Sequence, residues 1–277
     1  MCWIGIRSGG AGDGGFQARS VRIGAAAGVV LAALAATSAE GRSPSKLLID
    51  TPTAGTQAPA SFETRTRAFP GGGLELRVDI GLMHWLTLGA GYAGMQIIGD
   101  GDPEWNPEPG FAAKARVLPE SYVGPAVAVG VDTQGSGYWD GERDRYQYQS
   151  RGIYAVLSKN YAWLGDLTFH GGLNRSFEGE DRDLNPFVGL EKSLGPYAGI
   201  ALEYDAALND DRDDGVFGRG RGYLNTAVSW DLSSEVQVRF VLRDLLRNSE
   251  SVDAELSDVV VDEGFGRELT FSYTETF

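Results

Sequence analysis

Hydrophobicity with a period of two, repeated along most of the chain, narrows the possible folds more than any other feature. Residues 74–82 show it best. Leu74, Leu76, Val78, Ile80 and Leu82 share one face, and Glu75, Arg77 and Asp79 the other. A strand separates such residues to opposite sides, whereas a helix scatters them around its surface. The same alternation recurs at 62–69, 86–92, 111–118, 127–132, 153–157, 167–174, 188–191, 198–205, 224–230, 236–243 and 269–277. That makes twelve segments, an even number.

The connections alternate as well. Those at 83–85, 119–124, 159–164, 194–196 and 231–234 are short. Those at 99–109, 135–150, 175–185, 209–222 and 247–266 are long and polar, and 70–73 is the one tight connection of that series. Short turns on one side and long loops on the other are the pattern of a membrane barrel. A tilted membrane strand needs about 9–11 residues, close to these lengths. A soluble sandwich would also alternate, but three features count against it. Glycines recur on the polar face at 89, 91, 130, 172, 189 and 199. Trp85, Tyr122, Tyr161, Trp163, Tyr197 and Trp230 gather beside the short turns, as an interfacial girdle does. The last strand alternates aromatics and ends on Phe277. The expectation is an all-β, twelve-stranded antiparallel transmembrane β-barrel of the outer-membrane type over residues 60–277, with both ends of the chain periplasmic. Glu275 falls on the lipid face, where a charge is tolerable only near the interface.

Before the barrel, residues 23–36 form an apolar run preceded by Arg7, Arg19 and Arg22 and followed by small residues. This reads as a signal peptide over 1–39, with 40–59 a short periplasmic lead. The run is too short to span a bilayer comfortably as a helix. The 277 residues carry 24 Lys and Arg against 38 Asp and Glu, a formal charge of −14, which excludes a basic nucleic-acid footprint. One cysteine excludes a disulfide framework and a cysteine-ligated zinc site. Neither cofactor nor metal is expected.

Residues 125–137 read PAVAVGVDTQGSG, and RGIYAVLSKNY and LGDLTFHGGLN follow. The Pro-x-Val-Ala-x-Gly strand at 125–130, the Asp-x-x-Gly-x-Gly turn at 132–137 and the Tyr-x-Val-x-Ser-Lys strand at 154–159 resemble the YjbH-type outer-membrane proteins found with bacterial exopolysaccharide genes. The likeness covers about 50 residues of a chain much shorter than typical members. It implies an outer-membrane barrel associated with envelope polysaccharide.

Chemistry is sparse. The acidic loop at 209–215 resembles a calcium loop, but its turn glycine would put Arg212 and Arg221 at ligand positions. It reads as a solvated loop. His170 faces the lumen, whereas an outer-membrane phospholipase needs its Ser–His pair on the lipid-facing wall, so a membrane-embedded hydrolase is the least favoured class. The lumen-lining candidates are Arg65, Arg67, Arg77, Lys114, Arg116, Asp132, His170, Glu191, Glu203, Asp205, Arg239 and Arg243. The basic positions fall on segments 1, 2, 4 and 11, and acidic positions without a nearby base on segments 5, 8 and 9. This arrangement allows either a transverse field across a narrow pore or an internal salt-bridge network. Twelve strands lie between filled eight-stranded barrels and open porins. Two functions follow: a narrow channel for small polar solutes or an envelope-polysaccharide-associated barrel, and, as the alternative, a non-conducting interaction barrel with acidic outer loops. Expected partners are outer-membrane lipid, lipopolysaccharide and the barrel-assembly machinery, the last through Phe277.

Overall fold

The computed structural model describes residues 45–179, 182–210, 218–249 and 265–277. The signal-peptide region, residues 40–44 of the lead and the core of the acidic loop lie outside them. Fifteen strands are present among the described residues: β1 (Ser61–Phe69), β2 (Gly73–Met83), β3 (Leu86–Met95), β4 (Glu104–Trp105), β5 (Gly110–Leu118), β6 (Ala126–Asp132), β7 (Ser136–Asp140), β8 (Arg145–Tyr148), β9 (Gly152–Ala162), β10 (Asp166–Arg175), β11 (Asn185–Ser193), β12 (Ala198–Asp205), β13 (Tyr223–Asp231), β14 (Val236–Arg243) and β15 (Gly266–Thr276). Twelve of them pair antiparallel with their neighbours in chain order. The ring closes where β1 pairs with β15, Ser61 opposite Thr276 and Ala68 opposite Leu269. Closure leaves no free edge. β4 only extends β3, while β7 and β8 form a separate hairpin in the loop after β6.

The barrel is inside-out compared with a soluble protein. Leu76, Ile80, Phe111, Leu157, Phe169, Val188, Val228, Phe240 and Phe271 are exposed on the outer wall. Arg67, Glu75, Arg77, Asp79, Lys114, Asp132, Glu203, Asp205, Arg243 and Glu268 are buried within. The strand period forces this separation, because each change of parity moves a side chain across the wall. Trp85, Tyr122, Trp163, Tyr197 and Trp230 are exposed at or beside the short connections. Glu275 is exposed at the same rim, where its carboxylate accepts the Tyr273 hydroxyl at 2.8 Å.

The described part of the 40–59 lead differs from the expectation. It does not trail outside the barrel but runs into the lumen as a narrow tongue. Leu48, Thr51, Thr53 and Ala54 are almost fully buried. The tongue folds back at Leu48–Thr51, where the Leu48 amide donates to the Thr51 carbonyl at 2.9 Å, and the Thr53 amide to Lys46 at 3.2 Å. It joins β1 at the short-turn end through Ala60, a non-glycine residue in the left-handed region (φ 53°). Its sequence explains its position. Leu47, Leu48 and Ile49 need apolar cover, and the inner wall supplies it with small inward residues: Leu48 and Ile49 pack with Ala201, Ala227 and Val241. Ala54 packs with Ala126, Ala128, Tyr154, Val156 and Phe187. Gly189 lies directly beneath Leu48, and a Cβ there would collide with the leucine.

Candidate functional site

The interior combines wall, tongue and the β7–β8 hairpin into one polar network. At the tongue's apex, Glu203 of β12 accepts the amides of Ile49 (3.0 Å), Asp50 (3.0 Å) and Thr51 (3.0 Å), and the Thr51 hydroxyl (2.8 Å). Asn225 donates to its other oxygen at 2.8 Å. No cation lies within ion-pair distance of Glu203 among the described residues; peptide N–H groups compensate this buried charge. Lys114 of β5 mirrors it. Its ammonium donates to the carbonyls of Lys46 (2.5 Å), Thr53 (3.0 Å) and Gly55 (3.2 Å). Arg239 donates to the Leu48 carbonyl.

The tongue also brings charges of its own. Glu63 and Asp79 stand directly opposite each other on β1 and β2, a like-charge pair that would destabilise the sheet. Lys46 bridges them, at 3.2 Å and 3.3 Å, and Arg65 reaches both at 3.2 Å. Asp50 lies between Arg67 of β1 and Arg243 of β14, accepting Nη1 of Arg67 at 2.7 Å and Nη1 of Arg243. Burial works against the Asp50 charge, but the two guanidiniums overcome it and hold the carboxyl far below the usual carboxylate range.

The other candidate residues can now be placed. Arg67 also pairs with Glu75, and Arg77 with Asp79 (3.2 Å) and Asp132 (2.8 Å). Asp205 pairs with Arg151, and Arg243 with Glu268. His170 is buried, its Nδ1 2.8 Å from the Ser158 hydroxyl, which also accepts the Ala54 amide at 2.8 Å. This Ser–His pair is covered by the tongue, and the Nε2 atom has no hydrogen-bond partner among the described residues. Arg116 and Glu191 line a wider chamber at the short-turn end. Of the two arrangements the sequence left open, the interior shows the salt-bridge network, with Glu63, Glu75, Asp79 and Glu268 standing among the arginines. Sequence reading left Lys46, Asp50, Arg151 and Glu268 out of the site. The apolar Leu47–Ile49 run inside the expected periplasmic lead was the available signal.

The passage is uneven. The short-turn chamber has a volume of about 1050 Å³ and reaches Arg65, Arg67 and Arg239. Around and beyond Asp50, the gaps shrink to about 30 and 20 Å³, room for roughly one water each. The β7–β8 hairpin closes this side. Ser136 touches Arg67 at 2.9 Å, the Tyr148 ring lies 4.6 Å from the Arg243 guanidinium carbon, and Arg145 meets Asp210 at 2.5 Å. Glu178 accepts the amides of Tyr146 (2.9 Å) and Ser150 (3.0 Å), pinning the hairpin.

No protein-family model and no curated protein matches the sequence. Solved structures do. A KdgM porin superposes with a TM-score of 0.50 at 11% identity, covering 77% of this chain and 98% of that one. A NanC porin gives 0.46 at 10% (78% and 99%), and the outer membrane protein Omp33 of Acinetobacter baumannii gives 0.42 at 9% (78% and 97%). What the KdgM porin and this chain share is the fold. It is the twelve-stranded barrel of the outer-membrane type.

Proposed function

We propose that the protein is an outer-membrane channel for small polar solutes, closed in the state described here by its own tongue. One observation carries this reading. The narrowest level of the lumen is blocked at Asp50 by a segment tethered to the wall at one end, and the remaining wall is charged along its length. Wall charges that serve only to pack a permanently filled barrel would pair with one another. Glu203 and Lys114 are instead satisfied by tongue peptide groups. The outer apolar wall and its aromatic rim support an outer-membrane location among lipid and lipopolysaccharide. The exposed terminal Phe277, whose amide donates to Ala60 at 2.8 Å, supports recognition of the last strand by the barrel-assembly machinery. An association with envelope polysaccharide rests on the resemblance at 125–159 alone.

The dense ion pairing around Asp50 favours a second reading, a non-conducting interaction barrel. Planar-bilayer recording separates the two. The channel reading expects rare openings of the intact protein and frequent, larger steps after deletion of residues 45–57. A deletion variant that keeps its heat-modifiable gel shift, and so its barrel, yet gives no single-channel steps would leave the non-conducting reading standing.

A further inference from the structure

The arginines that hold Asp50 are built like a receptor site. Arg243 spends its Nε and Nη2 on Glu268, at 2.5 and 3.0 Å. Arg67 spends the same two atoms on Glu75. Wall carboxylates on one side therefore lock both guanidinium planes, and each arginine turns its remaining Nη1 to Asp50, that of Arg67 also lying 3.8 Å from Glu268. The two oxygens of Asp50 divide between these two donors, Oδ1 to Arg67 and Oδ2 to Arg243. Second-side partners that fix a donor's orientation are the mark of a preorganised site. Its occupant belongs to the tongue and not to the wall.

We propose that Arg67 and Arg243 form a binding site for the carboxylate of a small organic acid, and that Asp50 fills this site as an internal stand-in until such an acid displaces it. The inference rests on the channel reading above and names the solute class for that channel. The geometry also assigns the side of approach. Arg67 borders the chamber of about 1050 Å³, at the upper limit of the usual size of a small-molecule site. The gaps around and beyond Asp50 hold roughly a water each. An acid thus reaches Arg67 first, from the short-turn end, and Arg243, which lines the narrow gap beyond, only as Asp50 yields. Once its carboxylate takes the two Nη1 donors, Asp50 loses both of its ion-pair partners. An unpaired buried carboxylate is strongly disfavoured, so the apex withdraws. A neutral solute of the same size has nothing to exchange for Asp50.

The test uses the full-length barrel in planar bilayers, with sodium glucuronate as the probe and glucose as its neutral twin, each added to the short-turn side. We expect glucuronate to raise the open probability of the wild type at least fivefold and glucose to leave it unchanged. Asp50→Asn should open to a similar extent without any acid and gain nothing from glucuronate, while Asp50→Glu should restore closure. The heat-modifiable gel shift establishes that each variant is folded. A wild-type channel that conducts but responds equally to glucuronate and glucose overturns the carboxylate site and leaves the channel reading intact. Silence of the wild type, of Asp50→Asn and of the tongue deletion, all folded, overturns the channel reading itself.

Discussion

Glu203 has no cation within ion-pair distance among the described residues, and its stability depends on three peptide amides that come from a segment about 150 residues away. Hydrogen bonds to an ionised acceptor each contribute about 1.5–3 kcal/mol. Glu203→Gln removes the charge, keeps the shape, and leaves the amides with a weaker acceptor. The tongue's apex should open locally while the barrel stays folded. Hydrogen–deuterium exchange checks this: the amides of Ile49, Asp50 and Thr51 should exchange at least tenfold faster in the variant, since about 1.4 kcal/mol corresponds to a tenfold change in an opening equilibrium. Strand amides such as those of β12 should not change. Equal protection of residues 49–51 in both proteins would mean that the apolar seat of Leu48 holds the apex by itself.

At the scale of elements, the tongue and the β7–β8 hairpin meet across the Asp50 level, and acid acts on their carboxylates in opposite senses. Asp50 is held far below the usual range by Arg243 and Arg67. Its contribution is complete above the unfolded value and is lost only as pH falls through the depressed folded value. Glu178 and Asp210, outside the wall strands, are pushed up by burial. Their folded forms bind a proton more readily than the unfolded chain, so stability from them is present at low pH and declines as pH rises. Neither effect loosens the closure in mild acid. Channel opening at pH 4.5 should be no more frequent than at pH 7, and a marked rise would contradict both assignments. These two elements also mark how far the sequence could be read. The wall strands were legible because membrane strands must alternate: Leu76 and Arg77 cannot exchange faces without placing a charge in lipid. The tongue was not, because 45–59 has neither period. Its place depends on contacts with residues such as Gly189, Glu203 and Arg243, which no local pattern reveals. The partners of the lumen charges were equally hidden. Parity shows which residues point inward, but not that Arg77 meets Asp132 across intervening strands.

For the whole molecule, the decisive fact is that its largest apolar surface faces outward. That wall is favourable only against hydrocarbon, and the cost of a charge placed on it measures depth. Val228 lies on the outer face near the middle of β13 and Leu118 at the short-turn end of β5; both are exposed. An arginine at the bilayer midplane costs about 2–4 kcal/mol, falling to about 0–1 near an interface. Val228→Arg should therefore lower the folding free energy in lipid vesicles by the larger amount and Leu118→Arg by the smaller, read from reversible urea unfolding followed by tryptophan fluorescence. In a soluble barrel the order would vanish, since an arginine at either exposed position would be solvated. Equal, near-zero effects at both sites would show that water and not lipid covers the outer wall. A large penalty at 118 with none at 228 would place the hydrocarbon band at the short-turn rim, where the aromatic girdle sits.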